Sequence, residues 1–328
     1  MIDYLSVMAN NQAFEQNVIA LVWDFDKTLI TDYMQAPLFR RYHADPATFW
    51  REVDGLQEYY HRQGVRINRD TIYLNHILTW AQHGPFQGLN NQILAEIGPE
   101  LEFYPGLPEF FPQIKQAIEE HPLYSSYGIR LEHYIVSTGF AATIRNSVIA
   151  QYAEPDGIWG AEFLEQVAMP GYASDEPIAP ARVLSQVALA LDNTSKTRYL
   201  FEISKGSNKH PEIDVNSKML GENRRVPFAH MVYIADGPSD VPAFSIMNQG
   251  GGHTYAIYPR GDRQAMRQVD KLRADGRIQM YGEADYSEGS QTHLWLLEHT
   301  QMIAEKIVSA KQDLIRRSVS APPRHLGT

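Results

Sequence analysis

Asp24 and Asp26 follow directly on the apolar run Ile19-Ala-Leu-Val-Trp23 and flank one aromatic residue, Phe25. Paired carboxylates suit hard-metal binding or acid–base work, provided that a rigid element fixes them. Here the run before them is too short for a buried helix and reads as a buried strand. Open α/β sheets place ligands beyond the carboxyl ends of their strands, which is where this pair falls. Taken alone, the pair reads equally as a strand running into an Asp-rich turn, because aspartate bonds its own backbone in turns.

Three further segments share this layout. Tyr134-Ile-Val-Ser137-Thr138-Gly139 is a second apolar strand ending in two hydroxyls and a glycine. Met231-Val-Tyr-Ile-Ala235 runs into Asp236-Gly-Pro-Ser-Asp240. Between them, Asp192-Asn-Thr-Ser-Lys196 leads into a helical pattern over Thr197 to Lys205. The ordered set of Asp-x-Asp, Ser, Lys and Asp-Gly-x-x-Asp resembles the phosphatase side of the haloacid dehalogenase superfamily. Its order and spacing are most similar to the phosphoserine-phosphatase branch, with Val-Ser-Thr-Gly-Phe140 at the second motif. The match runs from Leu21 to Asp240 and leaves the stretch between Thr31 and Phe103 uncovered.

The resemblance implies a fold and a set of roles. The fold would be a Rossmannoid three-layer α/β/α sandwich with a mainly parallel sheet and an inserted helical cap. Asp24 would be the nucleophile and form an aspartyl-phosphate, a known form of carboxylate catalysis. Asp24 and Asp236 would hold Mg2+ through their side chains and Asp26 through its backbone carbonyl. The Asp26 side chain would protonate the leaving oxygen and later activate water. Ser137, Thr138 and Gly139 would bind the phosphoryl oxygens, and Lys196 would clamp the charge on nucleophile and phosphoryl group. Asp240 and Thr28 would support these groups from behind. Members that cleave carbon–halogen bonds need no acid two residues after the nucleophile, so Asp26 points to phosphoryl chemistry. Lys196 is preferred to Lys205 and Lys209 because it stands where a helix begins. Lys205 ends the same helix, where a cation suits the dipole. Lys27 replaces the commoner glycine and reads as solvated. The branch's ammonium-binding glutamate, seven residues after the second aspartate, is replaced by Tyr33, with Asp32 beside it.

Elements must position these groups. Residues 1–31 and 105–311 are expected to form the core, 32–104 a helical cap, and 312–328 a flexible tail; residues 1–15 form a polar lead-in. Pro37 to Tyr42 and Asp70 to Trp80 have helical spacing, as do Glu109 to Glu120 and Thr292 to Lys311. Turn signals around Ala153 to Phe163 suggest a hairpin. Arg40, Arg41, Arg51, Arg62, Arg66 and Arg69 read as a solvated face, and Trp50, Tyr59, Tyr60 and Trp80 as core. Asp285 to His293 reads as an exposed loop and helix N-cap.

Composition limits the partners. The 328 residues are 44% hydrophobic, enough for a sizeable core, and carry a net charge of −10. That charge disfavours a nucleic-acid partner. There is no cysteine, hence no disulfide framework, thiolate zinc site or cysteine nucleophile. No stretch has the apolar length to span a bilayer and the first residues lack a signal pattern, so no membrane partner and a cytoplasmic location are expected. An insertion after the first strand favours a small phosphorylated metabolite, since a lid obstructs larger substrates. The expected function is Mg2+-dependent hydrolysis of a small-molecule phosphate monoester. The alternatives are a phosphotransferase with an alcohol acceptor, or a non-catalytic binding protein that keeps the fold.

Overall fold

The apolar runs become strands whose alternate residues feed two different cores. In the computed structural model, residues 14–175 and 182–320 are described, so the expected lead-in over 1–15 lies almost wholly outside them. The first strand, β1 (Val18–Trp23), is followed by four helices: α1 (Ala36–Arg41), α2 (Pro46–His61), α3 (Ile72–His83) and α4 (Asn91–Glu96). Then come α5 (Phe110–Glu119), α6 (Pro122–Ser126), β2 (Arg130–Phe140), α7 (Ala141–Arg145), β3 (Ile158–Leu164) and β4 (Gln186–Leu189). The chain continues through α8 (Lys196–Lys205), β5 (Met231–Ala235), α9 (Val241–Gln249), β6 (His253–Tyr258), α10 (Arg263–Ala274), β7 (Met280–Glu283) and α11 (Gln291–Ser320).

The strands form one sheet in the order β4-β3-β2-β1-β5-β6-β7, parallel throughout except where β4 joins β3. Ile19, Leu21 and Trp23 of β1 face one core, shared with Phe110, Leu296 and the helices after β1. Val18, Ala20 and Val22 face the other, shared with Leu200, Ile203 and Phe244. Both faces of a parallel sheet are covered, so its central strands read as unbroken apolar runs. The expected three-layer Rossmannoid arrangement is the one observed. β1 lies between β2 and β5, with Trp23 level with Ile135 on one side and Ile234 on the other. That register brings Asp24, Ser137 and Asp236 to one edge of the sheet, at the point where the strand order reverses.

The 153–163 stretch is no hairpin. Glu154 N donates to His133 O and Gly157 O accepts from Ile135 N, so the turn's backbone groups are taken by β2. The chain after the turn then extends the sheet as β3, parallel to β2, and meets β4 on its other side. The closing helix likewise does not stop at Lys311. It continues to Ser320, because no glycine or proline interrupts it before Pro322. Residues 321–328 of the expected tail lie outside the described residues.

The helices α1 to α4 share a core cluster with one face of the sheet. Phe49, Leu74, Ile77 and Phe86 belong to the same core cluster as Trp23. Between α2 and α3, the exposed Glu52 accepts from Trp80 Nε1 at 2.9 Å and pairs with His76 Nε2 at 2.7 Å. Two polar contacts tie these helices to the sheet's carboxyl edge. Tyr73 OH donates to Thr138 O at 2.6 Å, and Asn68 Nδ2 to Asp192 Oδ2 at 3.0 Å.

Candidate active site

Asp24 closes β1 with its backbone N–H still in the ladder, donating to Ile234 O at 2.9 Å. Its carboxylate is therefore held by the strand, and both of its oxygens have partners. Lys196 Nζ reaches Oδ1 at 2.6 Å and Thr28 Oγ1 donates to Oδ2 at 3.0 Å. Thr28 is itself fixed from behind, where Tyr286 OH donates to its carbonyl at 2.7 Å. The turn between them closes on Phe25 O, which accepts from the N–H groups of Thr28 and Leu29.

Lys196 opens α8 and is buried among carboxylates. Its ammonium also meets Asp240 Oδ1 at 2.8 Å. Burial alone would push this lysine down, but the two carboxylates outweigh it and hold Lys196 above the usual lysine range. Asp240 is saturated: Tyr233 OH donates to Oδ1 at 2.6 Å and Ser239 Oγ to Oδ2 at 2.8 Å. Lys205 stands at the other end of α8, about 14 Å away at the helical rise. It donates to Val215 O and Ser217 O at 2.5 and 2.6 Å, and takes no part in the site. Lys209 pairs with Glu132 and Glu154.

Three carboxyl groups crowd this edge without enough positive charge. Burial pushes Asp24 up to about 6 against the opposing pull of Lys196, and burial together with the neighbouring carboxylates pushes Asp26 to about 7 and Asp236 to about 8. Asp26 receives the N–H of Met34 at Oδ1, 2.9 Å away, which fixes its side chain toward the cavity. Asp24, Asp236 and Asp240 each offer an oxygen within 4.8 Å of the others. An all-oxygen donor set of this kind suits a hard divalent cation such as Mg2+. Asp240 also meets Lys196, Tyr233 and Ser239, and Asp24 also meets Lys196 and Thr28, so the cluster shares its oxygens with these donors.

Ser137 is buried, and its Oγ accepts from Gly139 N at 3.0 Å. A Cβ on Gly139 would meet the end of the Met34 side chain and lie 3.2 Å from Asp26 Oδ2, so a larger residue here would have to displace Met34. A cavity of about 310 Å³ opens above these groups. Of the expected residues, Asp24, Asp26, Thr138, Lys196 and Asp236 line it, while Thr28, Ser137, Gly139 and Asp240 stand behind.

Some contributors were not visible in the sequence. Tyr233 and Tyr286 look like core aromatics, and only their hydroxyl partners reveal their work. Asp285 to His293 is not wholly exposed, because Tyr286 is fully buried against Trp23 and Phe110. Ser290 does cap the helix that follows, accepting from His293 N at 3.1 Å. Trp50 is not simply core. It packs against Tyr73 and also lines the cavity, with Tyr33, Gln35 and Arg69. Lys27 is not simply solvated, since its ammonium lies 4.1 Å over the Tyr33 ring.

No protein-family model matches the chain. Among solved structures, a HAD family hydrolase of Salmonella enterica serovar Typhi is 13% identical, covering 81% of this chain and 66% of that one, with a TM-score of 0.45. A phosphoserine phosphatase in apo form is 11% identical over 82% of this chain and 96% of that one, with a TM-score of 0.47. Likenesses this low do not bear on activity. An uncharacterized protein of Borreliella burgdorferi is 37% identical over 288 residues, which span 86% of this chain and 96% of its own length. The chain belongs to one family with that protein.

Proposed function

We propose that this chain is a Mg2+-dependent phosphatase of the haloacid dehalogenase type, acting on a small phosphate monoester. The observation that carries the reading is the buried Asp24–Lys196–Asp240 array at the sheet's carboxyl edge, with Asp26 fixed two residues on. A cation held by Asp24, Asp236 and the Asp26 carbonyl would supply the charge neutralisation that lets a carboxylate meet a phosphoryl dianion.

The chain's own residues do the rest. An Asp24 carboxylate oxygen attacks phosphorus while the ester P–O bond breaks, and the leaving oxygen takes the Asp26 proton. Burial beside Asp24 raises the Asp26 carboxyl to about 7, which favours its acid form. Water then attacks the aspartyl-phosphate, Asp26 takes its proton, and inorganic phosphate leaves with Asp24 restored. Lys196 and Thr138, which line the cavity, balance charge on the phosphoryl oxygens, with Ser137 behind them. The helices after β1 act as the cap: Trp50 and Tyr73 line the cavity, whose volume of about 310 Å³ suits a metabolite. No helix among the described residues is long and apolar enough to cross a membrane.

The test is phosphate release from a panel of small esters, with Mg2+ and with EDTA, for wild type and Asp24→Asn. Release that needs Mg2+ and vanishes in the variant is expected. Release that survives in Asp24→Asn would remove Asp24 as nucleophile.

A further inference from the structure

We infer that the start of α3 sets the phosphate site from across the cavity: Tyr73 and Asn68 are positioning residues, Tyr73 acting through the Thr138–Gly139 peptide and Asn68 through Asp192 and the turn that presents Lys196. The inference rests on the phosphatase reading above. Tyr73 is buried, and it lines the cavity together with Thr138 and Lys196. Its hydroxyl donates to Thr138 O at 2.6 Å. A trans peptide is planar and sends its C=O and N–H to opposite sides. With the Thr138 carbonyl held by Tyr73, the Gly139 N–H of the same plane is kept toward Ser137 Oγ, which accepts it at 3.0 Å. Glycine resists rotation of that plane least of all residues, so the tyrosine supplies a restraint that the backbone lacks.

Asn68 works on the other side of the cavity. Its carbonyl accepts from Ile72 N and its Oδ1 from Asp70 N, which fixes the start of α3. Its Nδ2 then donates to Asp192 Oδ2 at 3.0 Å. Asp192 in turn organises the start of α8. Its Oδ1 accepts from Thr194 N and Ser195 N at 3.0 and 2.7 Å, and its carbonyl accepts from Lys196 N at 3.2 Å. Two helix starts, each the positive end of a macrodipole, therefore share one carboxylate. Lys196 is the first residue of α8, so whatever fixes Asp192 fixes the ammonium that meets Asp24. A role in fastening the helices alone would show only as stability, whereas positioning shows as affinity for phosphate.

Inorganic phosphate is titrated into the Mg2+-loaded protein, and kcat/KM is measured on n-propyl phosphate and p-nitrophenyl phosphate. The proteins are wild type, Tyr73→Phe, Asn68→Ala, Asp192→Ala and the variant that combines the last two. Thermal melting of each reports its folding. Tyr73→Phe keeps the ring and should weaken phosphate binding by about two- to tenfold, the reach of one hydrogen bond. Both esters should lose kcat/KM by the same factor as each other, because the phosphoryl group is what they share. Asn68→Ala should weaken phosphate binding in wild type but add nothing to Asp192→Ala, since it acts through that carboxylate. Folded variants that melt lower yet bind phosphate as wild type does overturn the inference. So does a loss on one ester with phosphate affinity unchanged, which would make Tyr73 a reader of the leaving group. Additive losses in the combined variant overturn it for Asn68. If wild type binds phosphate with this dependence on Tyr73 but cleaves no ester, the inference stands and the hydrolase reading falls. If it neither binds phosphate nor cleaves an ester, both fall.

Discussion

Asp26 keeps a proton near neutrality because it is buried beside Asp24, a carboxylate that repels its charged form. A general acid matters most when the leaving group is a poor one. Asp26→Asn should therefore lower kcat on an alkyl phosphate by about 10²–10⁴-fold, the usual range for a positioned acid. It should cost far less on p-nitrophenyl phosphate, whose phenolate departs without a proton. Steady-state rates on the two esters check this, and equal losses on both would remove Asp26 as the acid. Lys196 and Lys205 separate in the same way. Lys196→Ala strips the counter-charge from two buried carboxylates, so turnover should fall by more than a hundredfold and stability by about 3–5 kcal/mol. Lys205→Ala removes two bonds to loop carbonyls and should keep its turnover, while melting lower. Near-normal activity in the first variant beside an inactive second would reverse the assignment.

Strands deliver these residues, and β2 shows how one is anchored at both ends. At its far end, Glu132 meets Arg225 at 2.5 and 2.8 Å, Lys209 at 3.0 Å and Tyr134 OH at 2.6 Å. Burial raises the Glu132 carboxyl, but the two cations and the tyrosine outweigh that and hold it at about 2. Glu132→Ala would leave the largely buried Arg225 guanidinium without its carboxylate, while Lys209 keeps Glu154, and should cost about 3–5 kcal/mol in chemical denaturation. Glu132 lies roughly 16 Å along the strand from Ser137, so the folded variant should keep its kcat. The strands themselves were legible, because apolar runs and their polar endings are local. The acidic set and Lys196 were legible for the same reason. What the sequence hid was partnership. Tyr286 reaches Thr28 across 258 positions, and Tyr73 reaches Thr138 from another helix. Periodicity says that such residues are buried, not which hydroxyl acceptor awaits them. Turn signals at Glu154 to Gly157 were sound, yet a turn does not choose its partner strand; the open edge of β2 did. Trp50 and Gln35 reached the cavity by the way α1 and α2 pack, which no spacing encodes.

Across the whole molecule, two sets of buried groups bend stability with pH in opposite directions. Burial lowers His133 to about 3 and His230 and His253 to about 4. His133 shows why: it accepts from Trp23 Nε1 at one ring nitrogen and donates to Phe111 O from the other, which requires the neutral ring. Unfolded histidines bind more protons below pH 6.5, so this set adds stability as pH rises toward 6.5 and then adds no more. Asp24, Asp26 and Asp236 are raised to about 6, 7 and 8, so the folded state holds protons that the unfolded chain has already lost. Their contribution is whole below about pH 4 and is lost as pH rises through those values. The two trends oppose each other up to pH 6.5, and above it only the carboxylates remain. Metal-free protein should therefore lose stability between pH 6.5 and 8, on the order of 2–3 kcal/mol at about 1.4 kcal/mol per proton per pH unit. A cation held by Asp24 and Asp236 favours the same ionised carboxylates that otherwise repel, so Mg2+ should cancel the loss and stabilise more at pH 8 than at 6.5. Melting temperatures at both pH values, in EDTA and in Mg2+, make the comparison. An equal Mg2+ increment at the two pH values would mean that the cation binds somewhere other than this carboxylate edge.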